Sequence, residues 1–102
     1  MPMTIRIETE TGGAVKEAAD VHNVITGLVG AADGPPLLLA KYIDPYADTV
    51  FNSLQIPDLL SDLRALAQCA KSEAQRSKLL EVMELARSCD SDPHLYLKFY
   101  GD

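Results

Sequence analysis

The sequence predicts an α+β domain: a two-layer sandwich with three helices on one face of a mixed, mostly antiparallel sheet of about five strands. Three observations carry this. Apolar and polar residues alternate at both ends of the chain, from Met3 to Glu8 and from His94 to Tyr100, the two-residue period of half-buried strands. Leu59, Leu60, Leu63, Leu66, Ala67 and Ala70 recur at the spacing of one helix face. Breakers such as Thr11-Gly12-Gly13, Asp33-Gly34-Pro35-Pro36 and Asp92-Pro93 divide the rest into short elements. The order reads ββ-α-ββ-αα-β over a single domain, residues 1–102.

In the first strand Met3, Ile5 and Ile7 face the core and Thr4, Arg6 and Glu8 face outward. A three-residue loop is expected before the return strand, with Thr9 opposite Val15 and Glu8 opposite Lys16, so that opposite charges meet. Asp20 suits the cap of a helix whose apolar face is Val21, Val24, Ile25, Leu28 and Ala32. Residues 37–43 read as a largely buried strand. Asp44-Pro45 suits positions i and i+1 of a type I turn, and Thr49-Val50-Phe51 forms the second arm of that hairpin. Pro57 fits the first turn of the next helix. Ser72, with Gln75 three residues on, is a capping box, and Leu79, Val82, Met83, Ala86 and Cys89 form the inward face of the helix it opens. Since one helix reverses the chain, the third strand is expected parallel to the second; two helices in succession leave the fifth antiparallel to the fourth. The far face of the sheet stays partly solvated.

Composition bounds the function. The chain has 102 residues, 9 Lys+Arg against 15 Asp+Glu, a net charge of −6 and 47% hydrophobic residues, the make-up of a globular domain. No apolar run approaches the ~20 residues of a membrane span. Met1-Pro2-Met3-Thr4 carries no basic region ahead of an apolar stretch, so a cytoplasmic location is expected. The basic residues are few and dispersed, which argues against a nucleic-acid binder. Cys69 and Cys89 form no CxxC, lie near opposite ends of two antiparallel helices, and read as reduced, buried, small apolar residues.

Catalytic signatures are missing: the sequence has no G-x-S-x-G elbow, no phosphate loop and no HExxH. His22 reads as a surface residue beside the helix stripe, and His94 opens the last strand without an identifiable nucleophile. Asp44 and Asp48 flank one turn, but Tyr46 and Ala47 depart from a calcium-loop pattern, and Asp is a favoured turn former. No cofactor, catalytic residue or metal ligand is assigned. The richest constellation is aromatic and acidic. Tyr42, Asp44, Tyr46 and Asp48 surround the second hairpin turn, and Tyr96, Tyr100 and Asp102 lie along the last strand; these hold all four tyrosines. Tyrosine combines large contact area with a polar tip, which suits it to interfaces.

The segments Tyr42-Ile43-Asp44-Pro45-Tyr46-Ala47-Asp48-Thr49-Val50-Phe51-Asn52 and His94-Leu95-Tyr96-Leu97-Lys98-Phe99-Tyr100-Gly101-Asp102, with the helical pair between them, resemble a group of small bacterial α+β proteins. The resemblance spans roughly residues 37–102. That group carries no assigned activity, so the resemblance transfers no functional residue. In size and acidity the chain is also similar to immunity-type proteins. The expected function is a non-enzymatic protein-binding module for a partner, for example a basic one, that it neutralises or escorts. Tyr42, Asp44, Tyr46, Asp48, Tyr96, Tyr100 and Asp102 form the expected binding residues. The alternative is a small metal-dependent or hydrolytic enzyme using Asp44, Asp48 and His94. Self-association into a homodimer through an open sheet edge is a third expectation.

Overall fold

Three backbone N–H groups in succession, those of Leu38, Leu39 and Ala40, point at one carboxylate, that of Asp62. This detail separates the observed fold from the expected one. A computed structural model describes residues 3–31, 37–90 and 92–101. Its strands are β1 (Met3–Thr9), β2 (Ala14–Asp20), β3 (Asp48–Phe51) and β4 (Leu95–Tyr100), and its helices are α1 (Val24–Ala31), α2 (Ile56–Gln68) and α3 (Glu73–Cys89). The order is therefore ββ-α-β-αα-β, and the sheet has four strands, all antiparallel, ordered β2-β1-β4-β3.

The expected strand over 37–43 does not form. The Asp62 oxygens lie 2.6 to 3.0 Å from the three nitrogens, and the chain then tightens into a single 3₁₀ turn, Ala40–Tyr42. A strand would direct successive N–H groups to opposite sides; a convergent run can share one anion. Asp62 is buried and comes from the polar side of the α2 stripe. With no strand there, no parallel pair forms. β3 occupies the outer edge, and β4 lies centrally between β1 and β3, antiparallel to both.

The first hairpin has the expected three-residue loop, residues 10–12, but not the expected register. Thr9 bonds Gly13 and receives the Gly12 N–H, with Gly12 at a φ of 90° that side chains rarely adopt. Glu8 then faces Ala14, and an irregularity between Ile7 and Glu8 shifts the ladder so that Ile7 faces Lys16 and Arg6 faces Glu17. The opposite charges that meet are thus Arg6 and Glu17, at 2.6 Å. Helix α1 begins later than the stripe implied. Asp20 does cap it, but through the N–H groups of Val24 and Ile25, and Val21 stays outside the helix and exposed. The Asp33-Gly34-Pro35-Pro36 stop and Ala32 lie outside the described residues. Pro57 stands in the first turn of α2, and Ser72 caps α3 by accepting from Gln75. Cys89 is buried, but Cys69 is exposed, because it follows α2 at a position the stripe 59-60-63-66-67-70 skips.

Met3, Ile5, Ile7, Phe51, Leu97 and Phe99 line one face of the sheet and are buried. Against that face α3 contacts β1, β2 and β4, while α1 and α2 pack on α3. Phe51 and Phe99 meet edge to face with ring centroids 5.8 Å apart. At the end of β4, Gly101 sits on the 44–47 turn. Its N–H bonds the Ala47 carbonyl, and a β-carbon there would lie 2.5 Å from the Ala47 nitrogen. This close approach joins the two tyrosine-bearing segments.

Two variants check this reading by urea denaturation. Asp62→Ala strands three N–H donors and is expected to cost about 3 kcal/mol, whereas Asp58→Ala, exposed on the same helix, costs under about 1 kcal/mol. Gly101→Ala is expected to destabilise as well, since backbone rather than a flexible side chain must move.

Candidate functional site

Strand alternation sends every second side chain to the face opposite the helices. The pairings arrange these in cross-strand rows. Ala19, Thr4, Tyr100 and Asp48 form the first row; Glu17, Arg6, Lys98 and Val50 form the second; Glu8 and Tyr96 stand opposite each other in the third. Arg6, Tyr96, Lys98 and Tyr100 are only partly covered, and Val50 is about half exposed at 48%.

One carboxylate organises the centre. Glu8 is 3% exposed although it belongs to the uncovered face. The Tyr100 hydroxyl donates to it, the Lys98 ammonium lies 3.1 Å away, and Arg6 approaches to 4.0 Å. Arg6 also bonds Glu17 and stands 5.6 Å from the Tyr100 ring centre. The Tyr100 bond holds the Glu8 carboxyl below its usual value, and Lys98 adds to this against the opposing effect of burial. Reciprocally, the bond to Glu8 raises the Tyr100 phenol and the Lys98 ammonium. Two cations and two carboxylates thus compensate one another at the centre.

The structure brings some of the expected binding residues together. Asp48 faces Tyr100 across the β3–β4 ladder. The Asp44 turn lies against Gly101, the residue after Tyr100, and within it Tyr46 N–H bonds the Asp44 carboxylate at 2.8 Å. The Thr49 hydroxyl donates to the Tyr42 carbonyl and accepts from Asp44 N–H, tying the turn to the edge of β3. Tyr42 and Tyr46 are strongly exposed, at 62% and 76%. Tyr96 stands apart, four residues back along β4 and roughly 13 Å from Tyr100 by strand rise. Asp102 lies outside the described residues.

Beside Tyr96 the face is concave. A notch of about 270 Å³ is lined by Thr9, Glu10, Val50, Tyr96 and Lys98. Glu10 projects from the first turn toward His94, whose Nδ1 is 2.6 Å from it. This bond raises the His94 ring above its ordinary 6.5, although the ring is well exposed. A second cleft, between the starts of α1 and α3, is lined among others by His22, Gly27, Lys71 and Gln75.

Asp44, Asp48 and His94 do not converge. Asp48 faces the C-terminal end of β4 and His94 precedes its start, a separation of roughly 20 Å. Among the described residues no group of three His, Cys, Asp or Glu is placed to hold a metal ion. Burial pushes the Cys89 thiol up to about 11, so it stays protonated near neutral pH.

Glu8, Arg6 and Lys98 were not singled out by the sequence. Their signal is the polar side of two alternating strands, but only the pairing of β1 with β4 makes them neighbours. Compared with family models, curated proteins and solved structures, the chain finds no match.

The central cluster has a pH signature. Because the folded state holds Glu8 below its ordinary 4.5, its contribution is present above that value and is lost as pH falls through the lower folded value. Urea midpoints measured against pH are expected to drop on this acid limb in the wild type and to drop less in Glu8→Gln. Tyr100→Phe is expected to cost about 1–2 kcal/mol near neutral pH, by leaving a buried carboxylate short of a donor.

Proposed function

We propose that this chain is a non-enzymatic binding module whose uncovered sheet face and adjoining Asp44–Asp48 turn dock a partner protein. An immunity-type role, in which the partner is neutralised by being covered, belongs to the same reading. The observation that carries it is the one-sided cover. Among the described residues α3 packs on the face that holds Ile5, Ile7, Leu97 and Phe99, with α1 and α2 stacked against it, and the opposite face presents Tyr96, Tyr100 and Val50 around the Glu8 cluster.

Charge favours one kind of partner. The middle of the face is self-compensated; at its margins lie Asp44 and Asp48 on one side and, on the other, Glu10, whose partner is His94. Such an arrangement suits an apolar or aromatic centre ringed by Lys and Arg, with the net charge of −6 steering approach. A partner that covers the sheet can also reach the adjoining turn, where Tyr42 and Tyr46 stand clear. At the β2 edge, Lys78 of α3 already holds the Ala19 carbonyl at 2.6 Å, which disfavours pairing there.

The test is comparative capture. Wild-type chain and the Tyr46→Ala/Tyr96→Ala double variant are immobilised against a native lysate, and proteins retained by the wild type are identified and purified. Titration is then expected to show affinity reduced at least about ten-fold by the double variant, with an unchanged urea midpoint. Equal affinity for both forms overturns this site.

A further inference from the structure

We infer that the notch beside Tyr96 receives one guanidinium-bearing side chain, an arginine of the partner protein. The inference rests on the binding-module reading and names the chemistry of one anchor. At about 270 Å³ the notch is smaller than most small-molecule sites and suits a single long side chain. Its walls are of two kinds. Val50 and the Tyr96 ring offer surface to an aliphatic stem and a ring face to a planar cation. Glu10 offers a carboxylate at the rim, where a guanidinium can donate two parallel hydrogen bonds.

Lys98 is the apparent objection, since a cation lines the same notch. Its ammonium, however, is committed to the buried Glu8 carboxylate at 3.1 Å, which leaves its methylene stem as lining. Glu8, Glu10 and Lys98 together carry one net negative charge. Thr9 contributes a hydroxyl that bonds Thr11 and Gly13 within the turn. β3 contributes the apolar Val50.

The competitor for Glu10 is His94, an exposed ring held 2.6 Å away, with Asp92 beside it. Protonated, His94 neutralises Glu10; deprotonated, it releases the carboxylate's charge. Its ordinary value of 6.5 is raised by the Glu10 bond, so this release falls above that pH. Arginine binding is therefore expected to strengthen as pH rises through the His94 titration.

The experiment is an amide NMR titration of the full chain with N-acetyl-L-arginine amide, with N-acetyl-L-leucine amide and N-acetyl-L-lysine amide as comparators. Saturating shifts are expected at Thr9, Glu10, Val50, Tyr96 and Lys98 with the arginine probe at millimolar concentrations, and several-fold weaker response to the other two. Glu10→Gln, an exposed position whose change leaves the fold intact, is expected to weaken the arginine probe at least about five-fold and to remove the pH dependence. His94→Ala is expected to remove the pH dependence while retaining binding. The inference is overturned by no localised shift up to about 50 mM probe, by equal response to leucine, or by an unchanged Glu10→Gln titration. If one of these occurs while Tyr46→Ala/Tyr96→Ala still loses the captured partner, the arginine assignment fails and the docking face stands. If the probe binds as described while the double variant holds its partner fully, the docking reading fails instead.

Discussion

The Asp62 carboxylate, receiving three consecutive N–H groups from residues 38–40, is the contact on which the architecture turns. An ionised acceptor makes stronger hydrogen bonds than a neutral carbonyl, and a buried carboxylate without donors is costly. Both sides of the contact therefore gain. Leucines 37–39 and Ala40 have the composition of a buried strand, yet they are strapped to α2 and leave the sheet. One strand fewer makes β3 an edge and lets β4 pair with β1 and β3 on its two sides.

That placement creates the candidate face. β4 carries Tyr96, Lys98 and Tyr100 on one side and Leu97 and Phe99 on the other. At a sheet edge, those polar residues would have had one neighbouring strand. In the centre they meet both β1 and β3, and Glu8 gathers the Tyr100 hydroxyl and the Lys98 ammonium from β4, with the Arg6 guanidinium of its own strand nearby. Buried polar clusters of this sort hold only when their members are satisfied, and here the bonds also lock the register of β1 against β4. The same mutual compensation leaves the middle of the face without net charge, so that Asp44, Asp48 and Glu10 stand at its margins.

Much of this was legible in particular residues. Asp20, Pro57 and Ser72 act where the sequence places them, because caps and first-turn prolines depend on groups within a few positions. The alternation of Met3–Glu8 and of Leu95–Tyr100 correctly separates core from open side. The tyrosines of the candidate site were visible as a cluster, but not their arrangement. Gly101, whose missing side chain lets the turn close on β4, brings Asp44 and Asp48 to Tyr100, while Tyr96 remains at the far end. Cys69 is exposed because its helix ends there, one position outside the stripe.

By itself the sequence determined the kind of each strongly periodic element, its inward side, and the α+β class. These follow from side-chain spacing along a chain whose repeat is about 3.6 residues in helices and 2 in strands. Tertiary structure alone decided the fate of residues 37–43, the number and direction of the strands, the Arg6–Glu17 register and the position of Glu8. Each of those depends on a group distant in sequence, such as Asp62 more than twenty residues from the N–H groups it accepts or Tyr100 ninety-two from Glu8. Local propensity cannot weigh such a partner until folding has brought it near.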